Sequence, residues 1–202
     1  AQAADVVKKT TGDDRNAYLK SVGLKRDFTQ LKMVAFKDLK LQVDSLSFKG
    51  QKDDAKLESF KLDEKHVSLN YKREHVGRDF SEVASLMNFE KARLGTLQGL
   101  DKTDMGFSAD LSSGRKLTMN SMSAETAKGS ANRTAAELIS KNMDLTVSAR
   151  KVDQGFNAAP QLIDPEKDVF DKMQGLKSTE ARLKWQLSSS LKIDALFSDG
   201  EG

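Results

Sequence analysis

Two histidines, His66 and His75, are the only imidazoles in the chain. They stand nine residues apart. On a single strand an odd separation sends side chains to opposite faces, so the pair cannot chelate one metal unless a turn lies between them. No G-x-S-x-G elbow places a serine beside either. Paired carboxylates occur at Asp13/Asp14, Asp53/Asp54 and Asp63/Glu64, each beside Lys or Gly in a polar stretch, which reads as solvated turns rather than an acid/base pair. The run Asp101–Gly106, "DKTDMG", has the acidic start and the Gly of a calcium loop. It carries Met105 where an oxygen ligand is needed, and Ser112 where the bidentate Glu belongs. Phosphate-cradling glycine motifs are absent. Asn132-Arg133-Thr134 matches the glycosylation triplet, but a helix cap explains the Asn equally well. With no cysteine, disulfides, thiolate metal sites and a thiol nucleophile are excluded together. No nucleophile–base–orienter set can be assembled, and the expectation is a protein that is not an enzyme and needs no cofactor or metal.

The elements that hold these residues are more informative. Between Ala181 and Phe197 every odd position except Ser189 is apolar, and every even position except Leu196 is polar. The same two-residue period places Leu39, Leu41 and Val43 on one side, with Leu46 and Phe48 following after a change of parity that a bulge would explain. It recurs in Val67, Leu69 and Tyr71; in Met105, Phe107, Ala109 and Leu111; in Leu117 and Met119; and in Met143, Leu145, Val147 and Ala149. Apolar residues at i, i+2 and i+4 opposed by Lys, Asp, Ser and Thr mark antiparallel strands with one buried face and one wet face. "SSGRK" between Leu111 and Leu117 reads as a hairpin turn. The uninterrupted alternation of residues 181–197 favours one long strand bent at Ser188–Ser190 over a hairpin.

Helical spacing follows Asp79, with Glu82 at the capping-box position. It also follows Asp164, with Pro165 at the first turn and Gly175 suited to a left-handed end. Residues 13–23 and the run from Asn132 to Ser140 are two further candidates. The predicted fold is therefore mainly β, within the α+β class. It is a curved antiparallel sheet or incomplete barrel with one apolar face, covered by two to four short helices, in a single domain of residues 1–202. No exact repeat is visible.

The totals limit the partners. Lys and Arg number 33 against 30 Asp and Glu, a net charge of +3 with the signs interleaved, which does not suit nucleic acid. No apolar run is long enough for a membrane-spanning helix. Small residues at the start, "AQAADVV", resemble what signal cleavage leaves, so an exported, periplasmic or secreted chain is expected. The favoured function is a non-catalytic structural or adaptor module of an envelope, appendage or virion assembly, meeting another protein subunit through sheet surfaces and edges. The alternative is a periplasmic carrier of lipid or another apolar ligand. Its groove is lined by the odd-position apolar residues of 181–197, with Leu183, Trp185, Leu187, Leu191 and Ile193 foremost, together with Phe107, Met143, Leu145 and Val147.

Overall fold

A computed structural model describes residues 24–35, 39–80, 86, 91, 94–157, 162, 170 and 172–202. Ten strands run in chain order: β1 (Lys25–Ala35), β2 (Leu39–Lys49), β3 (Asp54–Glu64), β4 (Val67–Val76), β5 (Leu100–Leu111), β6 (Arg115–Thr126), β7 (Gly129–Ile139), β8 (Met143–Val152), β9 (Lys177–Gln186) and β10 (Lys192–Glu201). Each is hydrogen-bonded to its neighbour in sequence, which makes one ten-stranded antiparallel sheet that is not closed. The chain divides into two compact units, Ala1–Asp63 with Asn70–Thr103, and Glu64–Leu69 with Asp104–Gly202. Among the described residues no helix is long and apolar enough to cross a membrane.

Among the described residues the expected layer of two to four helices is not there. Among the described residues helical backbone is confined to Leu94–Thr96, single residues at Lys91 and Phe170, and a 3₁₀ turn at Ser112–Gly114. The candidate at residues 13–23 lies outside the described residues, as do most of those following Asp79 and Asp164. The run from Asn132 is strand β7, paired along its length with β6 and β8. Its alanines favour a helix locally, but two ladders of tertiary hydrogen bonds override that preference.

The apolar face is not single either. In β2 no bulge intervenes: its register runs unbroken against β1 and against β3. The strand therefore does change sides. Leu41 and Val43 share a face with Leu31, Met33, Phe60 and Leu62; Leu46 and Phe48 share the other with Phe28, Leu57 and Ala55. Phe80 stands with its ring centroid 6.5 Å from that of Phe48, so it packs on the second face. The second unit repeats the arrangement: Ala124, Ala131 and Val152 lie side by side on one face, buried. Phe156 and Phe170 of the connection 153–176 are equally buried and meet edge to face at 6.2 Å. Each unit thus holds its core at one end of the strands, on one face only.

Residues 181–197 form a hairpin, β9–β10, not one long strand. Trp185 faces Ile193, Leu183 faces Ala195 and Ala181 faces Phe197. Alternation survives the turn because the amides of Leu187 and Ser188 both bond the carbonyl of Leu191 around a loop of three serines. A loop with an odd number of residues keeps odd positions opposite odd positions, so the period-2 pattern cannot distinguish such a hairpin from a continuous strand.

The structure also discloses a repeat. Strand β4 and strand β8 have the same length and lie 76 residues apart, as do Val76 and Val152, Phe80 and Phe156, Leu86 and Leu162, and Ala55 and Ala131, all buried. The hydrogen bonds follow the same offset. Gly77 N to Asp54 O matches Asp153 N to Ser130 O, and Phe80 N to Gly77 O matches Phe156 N to Asp153 O. Gln98 Nε2 donates to Phe80 O, and Gln174 Nε2 to Phe156 O. Gly99 and Gly175 close the two connections at φ +78° and +73°, a conformation that glycine adopts without strain. The chain is built from a 76-residue module of four strands and one long connection.

Candidate functional site

The residues singled out for chemistry are dispersed or already engaged. His66 lies in the β3–β4 turn, where its carbonyl accepts the amide of Asp110 at 2.7 Å. His75 lies on β4, with Nδ1 3.3 Å from Asp101 and Nε2 3.5 Å from Asp54. The run Asp101–Gly106 is extended within β5, not looped. Its Asp101 takes a forked pair of hydrogen bonds from Arg73, at 3.2 and 2.7 Å, which holds its carboxyl below the ordinary range against partial burial. Asp53, Asp54 and His75 come within metal-ligand spacing. However, both Asp53 oxygens already accept backbone amides, from Asp54 at 2.9 Å and Asp79 at 3.2 Å. Those bonds identify Asp53 as the clamp of the Gly77 turn. The matching positions of the other module, Gly129, Ser130 and Lys151, carry no such trio of ligands.

The apolar residues behave differently. In the second unit the register aligns Leu117, Leu138, Leu145, Leu183 and Ala195 in one row across β6–β10. A second row holds Met119, Ala136, Val147, Ala181 and Phe197. Met143, Trp185 and Ile193 form a third on β8–β10. Directly opposed side chains lie about 4.5–5.5 Å apart, so five strands make a band roughly 20 Å long and two to three rows wide. It is open: Met119 is 44% exposed, Val147 40%, Trp185 41% and Phe197 62%. The reverse face at this level is wet except at Leu196, with Glu137, Thr146 and Arg182 side by side, and Arg182 forked onto Asp194 at 3.2 and 3.0 Å.

Of the nine lining residues expected from sequence, Met143, Leu145, Val147, Leu183, Trp185 and Ile193 share this band. Leu187 and Leu191 flank the hairpin loop, 45% and 53% exposed. Phe107 lies on β5, where its module position is that of Leu183. Leu117, Met119 and Leu138 belong to the band and were not among the nine. Leu138 is hidden in sequence by the helix-like composition of β7. The first unit carries an equivalent band in Leu31, Val43 and Phe60 beside Met33, Leu41 and Leu62.

A small hollow of about 250 Å³ opens at the hairpin end, where Trp185 and Ile193 meet Lys141, Lys184 and Lys192. The chain matches no protein-family model, no curated protein and no solved structure.

Proposed function

We propose that the protein carries elongated apolar molecules, with lipid acyl chains as the substrate class, on the open band of its sheet. The observation that supports this most is the band itself: three aligned apolar rows, uncovered, backed by a reverse face that is polar except at Leu196. Soluble chains rarely leave such a patch bare without a use for it. A methylene fully removed from water contributes about 0.8 kcal/mol. A chain of about sixteen methylenes, half covered, gains roughly 6 kcal/mol before its ordering cost, which corresponds to micromolar to millimolar binding. Lysines at the hairpin end suit an anionic headgroup. No catalytic group takes part.

Trp185 is the only tryptophan of the chain and lies in the band, so it reports directly. Titration with a phospholipid brominated on its acyl chain, below its aggregation concentration, should quench Trp185 saturably. Leu183→Asp, on the band, should abolish the quenching; Thr146→Asp, on the reverse face of the neighbouring strand, should leave it intact. Absence of quenching, or equal loss in both variants, would sink the reading.

A further inference from the structure

The outer edge of β10 differs from a protected sheet edge. Natural edges are blunted by proline, bulges, short strands or charged side chains. β10 has only the last of these, at Lys192, Asp194, Asp199 and Glu201: ten consecutive residues pair without interruption to β9, and no proline occurs among them. Every residue of the strand is exposed, and Leu196 and Phe197, at 65% and 62%, are the most exposed large apolar side chains among the described residues. The module explains what such an edge is for. β10 follows β6 by 76 residues, and β6 pairs on that side with β7 through eleven residues, with Leu138 opposite Leu117 and Ala131 opposite Ala124. Leu176 gives a second, independent sign. It occupies the position of Leu24 and Leu100, each 1% exposed, yet is itself 41% exposed.

We infer that the β10 edge docks a strand of the β3/β7 kind, presented by another module of this type. In the β6–β7 register, an incoming leucine would face Ile193 and a small residue would face Gly200. The row of Met143, Trp185 and Ile193 would then extend by one strand. Among the described residues a second copy of this chain offers no such strand at a free edge. Its described sheet ends are β1 and β10, and β1 is of the β5/β9 kind, not the β7 kind.

The test is hydrogen exchange on the full chain with a synthetic peptide of residues 128–141, against a shuffled peptide of the same composition. Slowing of the β10 amides by tenfold or more with the first peptide alone supports the inference. No slowing, equal slowing by the shuffled peptide, or slowing at β1 instead overturns it. So does β10 protection that rises with protein concentration and no peptide, which would identify a second copy as the occupant. Because one short strand binds weakly, a second protein carries an additional copy of residues 127–202 directly after Gly202, which continues the module in phase. Its β10 amides should exchange at the slow rates of β6. Exchange at the rates of the shorter chain, with the added segment folded by circular dichroism, overturns the inference.

Discussion

A side-chain cap at Gly77 is supplied from opposite sides in the two modules. Gly77 packs so closely on the Asp53 carboxylate that a β-carbon there would collide with it. That carboxylate accepts the amide of Asp54. In the second module Gly77 corresponds to Asp153 and Asp53 to Gly129, so the glycine and the acid have exchanged places. The amide of Ser130, which corresponds to Asp54, still finds a carboxylate: Asp153 accepts it at 2.9 Å and the Ser130 hydroxyl at 2.8 Å. A strand-end amide left without an acceptor costs about 1–3 kcal/mol, so one carboxylate is needed and two would repel. In an Asp54→Ser background, Gly77→Asp alone should destabilise by roughly 3 kcal/mol, and Asp53→Gly alone by about 1 kcal/mol. The two together should lose only about 1 kcal/mol, giving a coupling of roughly 3 kcal/mol in thermal melts. Additive losses would show that the exchange is accidental.

The same cap has a pH signature. Hydrogen bonds from the Ser130 hydroxyl and amide, aided by Lys151, hold the Asp153 carboxyl below its ordinary 3.8. A lowered carboxyl stabilises the fold above that ordinary value, and the contribution disappears as pH falls through the lower, folded value. Ser130→Ala removes the hydroxyl and leaves the amide. Its acid-unfolding midpoint should therefore move to higher pH, with melting at pH 7 to 8 changed by the loss of one half-buried hydrogen bond only. An unmoved acid midpoint would count against the assignment.

At the scale of elements, the two cores reach similar packing with different residues. In the first, Phe80 meets Phe48 of β2; in the second, Phe156 meets Phe170 of the connection. Phe48 corresponds to Ala124, and Phe170 to Leu94. One large ring is thus always present beside the conserved phenylalanine position, and volume-conserving exchanges of this kind are the best tolerated. Phe48→Ala should cost about 3–5 kcal/mol. Adding Leu94→Phe should restore a substantial part, whereas Leu94→Phe alone should overpack. The unfolding midpoint in urea, at unchanged slope, measures this.

The same comparison shows what was legible. β4, β8, β9 and β10 keep one face apolar over most of their length, so i, i+2, i+4 spacing disclosed them. β1 and β3 change sides midway, and their apolar residues fall three apart, as in Phe28 and Leu31 or Leu57 and Phe60. That spacing belongs equally to a helix, so alternation does not mark those strands. Six of the band's residues followed from alternation alone. The opposing residues of β6 and β7 did not, because cross-strand register leaves no local trace. The repeat stayed hidden because it conserves the size and burial of positions more than their identities; Gly-Leu at 23, 99 and 175 is its plainest remnant.

The whole molecule is then a tandem array of modules, and its unfolding should reflect that. In such arrays stability is local, a sum of module and neighbour contributions, so cooperativity need not extend over the full length. Each unit has its own buried set: Phe48, Ala55, Val76 and Phe80 in one; Ala124, Ala131, Val152 and Phe170 in the other. Phe170→Ala removes a fully buried ring and should cost its unit about 3–5 kcal/mol. Native-state hydrogen exchange resolves where that loss falls. The amides of Ala124, Ala131 and Val152 should exchange some hundred-fold faster or more, following the conversion of about 1.4 kcal/mol per tenfold. Those of Phe48, Ala55 and Val76 should keep their rates. If both sets accelerate together, the sheet unfolds as one body and the module is a unit of construction without being a unit of stability. If only one set responds, each module carries its own fold, and an array of this kind can lengthen by whole modules without redesigning the cores already present.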